Sequence, residues 1–392
     1  MQRFHVDIPF NRPHTAGREF EYIAQAIDGL QLSGNGPFGA RCEDWLENRT
    51  GAHRALLTPS CTAALELAAL LAGIQAGDEV IMPSFTFSST ATAFVLRGAT
   101  PVFVDIREDT LNIDEQLVED AVTERTRAIV PVHYAGVPAE LDALRIIADL
   151  HGLLLIEDAA QAIGSTYRGR PVGVDCEFSA LSFHETKNVM CGEGGALLLN
   201  SASDVERAEV MREKGTDRAR LFRGEVDKYT WRDVGSSFLL SEINAAFLWA
   251  QLEAADEILA ARMAIWKSYD RAFADLDAAG LVRRPIVPGH CTHNAHLYHL
   301  LLVDEISRDR LIESLRSESI AALFHYLPLH SSTAGRRYGR ASGELARTTA
   351  ASERVLRLPL WVGMGDVEIE RVVGAVDRGL RAKRPREAVS RG

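Results

Sequence analysis

The stretch SFHETKNVMCGEGG, Ser182 to Gly195, places one lysine, Lys187, between the end of the apolar run FSALSF and a glycine-rich turn. A lysine in that position is by default simply solvated, so its meaning rests on what surrounds it. Upstream, from about residue 53 to 200, the runs RALL, EVIMP, PVFVDI, RAIVPVHY, LLLIED, FSALSF and GALLLN read as strands. Amphipathic segments such as Thr62 to Gly73 and Ala139 to His151 lie between them. This alternation predicts βαβ units and an α/β fold with a mostly parallel central sheet wrapped by helices. Ligands of such sheets bind at the carboxyl ends of the strands, which is where Lys187 stands.

The run LLLIEDAAQA ends a second apolar strand in Glu157 and Asp158. A carboxylate at the end of a buried strand is costly unless something answers its charge. Pyridoxal phosphate needs both groups, a lysine amine to form a Schiff base and a carboxylate to keep its ring nitrogen protonated. Lys187 and Asp158 could supply them from neighbouring strand ends.

A phosphate site would complete that reading. Leu56 to Ala64 (LLTPSCTAA) reads as a strand, a turn of small hydroxyl residues and a helix start. The N–H groups of a helix N-terminus hold an anion without a cationic side chain. The same residues also suit an ordinary helix cap by Ser60 or Thr62, and the sequence leaves both readings open. Ser182 could add a hydroxyl, and Gly192, Gly194 and Gly195 would let the backbone turn beside the cofactor. Phe85, in MPSFTF after another strand, could cover the ring face or belong to the core.

With 392 residues, 46% of them hydrophobic, the chain can bury a large core and a smaller one. A formal net charge of −11 argues against nucleic acid as its main partner. The five cysteines, Cys42, Cys61, Cys176, Cys191 and Cys291, form no CxxC pair, so no metal site is expected and a reducing cytoplasm is. The start MQRFHVDIPFNRP has no apolar signal core, and AALELAALLAGI is too short to span a bilayer, so neither export nor membrane insertion is expected. The expected organisation is a large cofactor-binding domain over residues 1–240, a long connecting helix over 241–282, and a small C-terminal α+β domain over 283–392. The basic tail RAKRPREAVSRG reads as a solvated end.

These motifs resemble those of the DegT/DnrJ/EryC1/StrS family of nucleotide-sugar aminotransferases. The likeness runs from IPFNRP near residue 8 to LRLPLW near 361, through TPSCTAALE, GDEVIMPSFTF, PVFVDI, PVHYAG, EDAAQAIGSTY, SFHETKN with GEGG, and FHYLPLH. SFHETKN, KYTWRDVGSSF and AQLEAAD are most similar to the subgroup that makes dTDP-4-amino-4,6-dideoxygalactose. The resemblance implies fold type I architecture, with pyridoxamine 5′-phosphate as the aminated form of the cofactor. It also implies Lys187 as Schiff-base lysine, Asp158 at the ring nitrogen and Gln161 near the phenolic oxygen. Cys61, Thr62 and Ser182 would lie near the phosphate, and Phe85 on the ring. Most of the family reaches the phosphate from a neighbouring subunit with an asparagine in a Tyr-Asn-Tyr-Arg run; here Ser237 and Leu239 stand in that region, and Ser237 takes the asparagine's place. Lys187 separates this chain from family members that dehydrate a sugar and carry histidine there.

The implied activity is amination at C4 of dTDP-4-keto-6-deoxy-D-glucose, with L-glutamate as donor, by a homodimer. A 3-keto hexose, a pentose, or a cofactor-binding regulator without turnover are the competing readings. His325, Tyr326 and His330 in FHYLPLH are candidates for the sugar nucleotide, since polar aromatics suit sugar hydroxyls and a thymine ring; histidine charge could help receive the diphosphate. Packing in a strand and turn is the alternative role for all three.

Overall fold

The computed structural model describes residues 6–381, so the basic tail beyond Arg381 and the first five residues of the start lie outside the described residues. Eight strands form the large sheet: β1 (Arg54–Thr58), β2 (Glu79–Pro83), β3 (Thr100–Val104), β4 (Thr126–Ile129), β5 (Leu154–Asp158), β8 (Phe178–Ser182), β9 (Gly195–Leu199) and β13 (Arg340–Ala341). The hairpin β6 (Thr166–Tyr167) and β7 (Arg170–Pro171) pairs with β11 (Cys291–Thr292). A second three-stranded sheet is built from β10 (Val282–Arg283), β12 (Tyr298–Leu302) and β14 (Val355–Leu358).

The large sheet runs in the order β1-β9-β8-β5-β4-β2-β3-β13. Its pairings are parallel except where β9 lies antiparallel between β1 and β8. All residues of β2, β8 and β9 are buried, as a sheet covered on both faces requires, which explains why EVIMP and GALLL show no alternation. One face packs on the helix Cys61–Leu71 through Leu65, Leu67 and Ala68; the other packs partly on Ala245, Leu248 and Leu252 of the helix Glu242–Glu253.

The expected single helix over 241–282 is three helices, Glu242–Glu253, Ala255–Ala272 and the short Ala274–Ala278, the first two joined at Ala254 with non-helical dihedrals (φ −97°, ψ 9°). The break falls where the packing partner changes. The first helix joins the core of the large sheet, whereas Ile265, Trp266 and Tyr269 of the second belong to the core behind the three-stranded sheet. Ile8 joins that second core and bridges to Ile320, so the N-terminal segment packs with C-terminal residues. In the other direction, β13 leaves the C-terminal part of the chain to pair with β3 at the edge of the large sheet. Among the described residues no helix is long and apolar enough to cross a membrane, and no group of three or more ligand side chains could hold a metal ion.

Candidate active site

A cavity of about 660 Å³ opens where the carboxyl ends of the large sheet's strands meet the edge of the three-stranded sheet. Lys187 lies in its wall, on the loop that joins the antiparallel strands β8 and β9. That loop is closed by Phe183 N–H to Gly194 O (2.8 Å), Glu185 N–H to Gly192 O (2.9 Å) and Lys187 N–H to His184 O (2.9 Å). Gly192 turns the chain at φ 83°. Gly195 lets β9 approach the turn before the helix Cys61–Leu71, since a Cβ there would stand 2.4 Å from the carbonyl carbon of Ser60. Asn188, next to the lysine, donates to Asn294 O (2.7 Å) and bonds His296 Nδ1 through its own oxygen (3.0 Å), tying the lysine loop to the far wall.

Burial lowers the pKa of Lys187 below that of an ordinary lysine. The nearby Cys61 and Asp158 oppose that shift and the Arg357 guanidinium adds to it. The amine therefore reaches its neutral, nucleophilic form at lower pH than a solvated lysine does.

Asp158 ends β5 and is nearly buried; its carboxylate accepts from Thr90 Oγ1 (2.7 Å) and from Ala160 N–H (3.2 Å). Gln161 is fixed at both ends, its oxygen accepting from Ala135 N–H (2.8 Å) and its amide donating to the Tyr326 hydroxyl (2.7 Å). At the opposite corner Ser60 caps the helix Cys61–Leu71 by accepting from Ala63 N–H (3.1 Å). The cap and the anion site are compatible. Ser60 Oγ takes the N–H of Ala63, and a helix start offers further N–H groups without intrahelical acceptors, here those of Cys61 and Thr62, which line the cavity. Thr62 and Ser89 share a hydroxyl bond of 2.7 Å beside them.

Of the residues expected from sequence, Cys61, Thr62, Asp158, Gln161, Ser182, Lys187, His325 and Tyr326 come together around this one cavity. Three do not. Phe85 is fully buried and packs edge-on against Tyr326, with Tyr134 also beside it, so it supports the wall from behind. The exposed aromatic on the cavity is Phe87, two residues further on. His330 faces away and is engaged by Ser84, whose hydroxyl bonds its Nδ1 (2.8 Å) and accepts its backbone N–H (3.0 Å). Ser237 is exposed, bridged through its backbone to Glu213, and does not line the cavity of its own chain.

The histidines also differ from the expectation of a charged receptor. His325 is buried against Tyr134, whose hydroxyl bonds its Nδ1 (2.9 Å), and desolvation, reinforced by Arg357, pushes its pKa well below the usual histidine value. His296 behaves likewise, through burial and then the charges of Lys187, Arg262 and Arg357. Both are neutral hydrogen-bonding groups at physiological pH. The cations of this wall are Arg262 and Arg357, which sequence reasoning did not single out: the first sits mid-helix, and the second stands in LRLPLW among strand residues.

The chain matches known proteins over nearly its whole length. An uncharacterised protein of Methanocaldococcus jannaschii is 34% identical over 367 residues, which cover 91% of this chain and 94% of that protein. The structure of DesV from S. venezuelae superposes with a TM-score of 0.86 at 33% identity, covering 96% of this chain and 99% of that one. A candidate sugar aminotransferase of Streptococcus pneumoniae, in its PMP form, gives a TM-score of 0.88 at 26% identity, covering 96% of this chain and 100% of its own. That protein is also known in a PLP form. A profile described as the DegT/DnrJ/EryC1/StrS aminotransferase family matches residues 13–377. The chain belongs to that aminotransferase family, and its cofactor is pyridoxal phosphate.

Proposed function

We propose that this aminotransferase acts on a nucleotide-linked sugar, transferring the amino group of L-glutamate to the C4 ketone of dTDP-4-keto-6-deoxy-D-glucose to give a dTDP-4-amino-4,6-dideoxyhexose. The observation that carries the reading is the placing of Lys187, Asp158 and the start of the helix Cys61–Leu71 around one cavity. The choice of sugar is supported by the likeness of SFHETKN and KYTWRDVGSSF to dTDP-4-amino-4,6-dideoxygalactose transaminase.

The residues present fit the cofactor. Lys187 would hold it through Nζ, Asp158 would face the ring nitrogen, Gln161 the phenolic oxygen, and Cys61, Thr62 and Ser182 the phosphate. Phe87, which lines the cavity where Phe85 does not, would be the aromatic to touch the ring. When bound, pyridoxal phosphate supplies an electron-accepting ring and a carbonyl that captures the donor's amine. The chain supplies the rest. Lys187, freed by the incoming donor, removes the proton from the donor's α-carbon and in the second half-reaction delivers a proton to C4 of the sugar. Asp158, held by Thr90, would face the ring nitrogen and hold its proton. Tyr326 and neutral His325 present hydrogen-bonding groups suited to an uncharged hexose. A homodimer, with Ser237 reaching the partner's phosphate site, belongs to the same proposal.

The test is to incubate the holoenzyme with L-glutamate and a panel of dTDP-linked 4-keto and 3-keto sugars and assign the product by NMR. Amination at C4 is the expected result. A product aminated at C3, or none from any keto sugar, would overturn the assignment.

A further inference from the structure

Three arginines are buried among the described residues: Arg212, Arg262 and Arg308. Arg212 pairs with Glu43, and Arg308 with Asp309 and Glu305. Arg262, in the cavity wall, has no carboxylate partner among the described residues and donates only to the carbonyls of Ala295 (3.2 Å) and His296 (2.6 Å). Partly buried Arg357 is in the same position. It donates only to Phe324 O (3.0 and 3.3 Å) and lies 4.7 Å from the centre of the Phe10 ring. A guanidinium withdrawn from water without a counterion is unfavourable, and two of them line one cavity.

The two are not equivalent. Arg262 braces a loop that needs bracing, since Ala295 has a positive φ of 52°. Arg357 braces only one carbonyl and lines the cavity together with Lys187, His296, His325 and Tyr326, so it lies among the groups around the amine. An amino donor carries its carboxylate one bond from the carbon whose proton Lys187 removes. The counterion that Arg357 lacks is thus one the donor would bring to that place.

We propose that Arg357 binds the α-carboxylate of the amino donor. This rests on the aminotransferase reading above and names the donor-recognition residue of the same cavity. A guanidinium suits the role because its planar fork bonds a carboxylate through two N–H groups. Donor and keto sugar occupy the cavity in turn, so a contact made only by the carboxylate separates the two half-reactions.

The experiment compares wild-type holoenzyme with Arg357→Gln and Arg357→Lys, each checked for an unchanged melting temperature. Single-turnover conversion of the cofactor, titrated with L-glutamate, should show an apparent Kd raised about 10- to 150-fold in Arg357→Gln and by less in Arg357→Lys. Calorimetric titration with glutarate, an unreactive dicarboxylate, should show weaker binding in the same order. Conversion of the pre-aminated enzyme by the keto sugar should stay within about threefold of wild type. An unchanged glutamate Kd, or equal loss in both half-reactions, would overturn the proposal and leave the aminotransferase reading standing. A wild-type holoenzyme converted by no α-amino acid would overturn both.

Discussion

The cavity wall built by the large sheet and the wall built by the three-stranded sheet answer their charges in opposite ways. On the first, Asp158 accepts from Thr90 and Ala160, Gln161 is bonded at both ends, and Ser60 caps its helix. On the second, Arg357 and Arg262 donate their side-chain hydrogen bonds only to carbonyl oxygens. Behind them His299 is buried with both ring nitrogens unpartnered, and desolvation pushes its pKa down to about 3. The first wall is organised before any ligand arrives, whereas the second is completed by one. A family that keeps one cofactor and varies its substrates would be expected to divide its cavity this way.

Lys187→Ala would break the contrast most severely. The variant should keep its fold, because the loop is held by backbone bonds and by Asn188, yet lose turnover by roughly 10⁴-fold or more. The absorbance of the cofactor linked to Lys187 should give way to that of a free aldehyde held without a covalent bond. Near-normal turnover in steady-state assays would remove the lysine from the chemistry and with it the meaning given to the first wall.

The seam between the two parts gives a smaller, pH-dependent effect. Glu79 on β2 is bonded by Arg340 of β13 (2.7 and 3.1 Å) and by Arg125 (2.6 Å). The Arg340 hydrogen bonds, helped by Thr123 and Arg125 against the cost of burial, hold its pKa down to about 2 from 4.5. A depressed carboxylate contributes stability that is fully present above its unfolded pKa and is lost as pH falls from about 4.5 toward about 2. Because both arginines are substantially exposed, that contribution is about 1–2 kcal/mol. Glu79→Gln should lower the melting temperature at pH 7 and flatten the acid limb of a stability profile. A variant with the wild-type acid limb would show that the seam does not depend on this charge.

His330→Ala should have the smallest effect. It removes the ring's bond to Ser84 and leaves the cavity wall intact, so a loss of about 0.5–1.5 kcal/mol in denaturant unfolding is expected. The glutamate and sugar half-reactions should slow together or not at all. Selective damage to the sugar half-reaction would return His330 to the substrate wall.

Much of the first wall was legible because its information is local. A strand end, a small-residue turn and a helix start occupy consecutive residues, so the position of Ser60, Thr62, Asp158 and Lys187 followed from where each strand stops. The sequence by itself determined the mostly parallel rhythm, the strand end before Lys187 and the glycine-rich turn after it, whereas the antiparallel pairing of β8 with β9 across that loop came from the structure. Only the tertiary structure decided which of Phe85 and Phe87 reaches the cavity. They stand two residues apart, so strand parity puts both on one face, and the bends through Ser84 to Thr86 sent Phe85 into the cluster with Tyr134. The break at Ala254 was hidden for a similar reason: no glycine or proline marks it, and it arises where the chain exchanges one core for another. The second wall gathers Arg262, His296, His325 and Arg357 from separate stretches of the chain, so its missing counterions are a property of that assembly, which no single motif records.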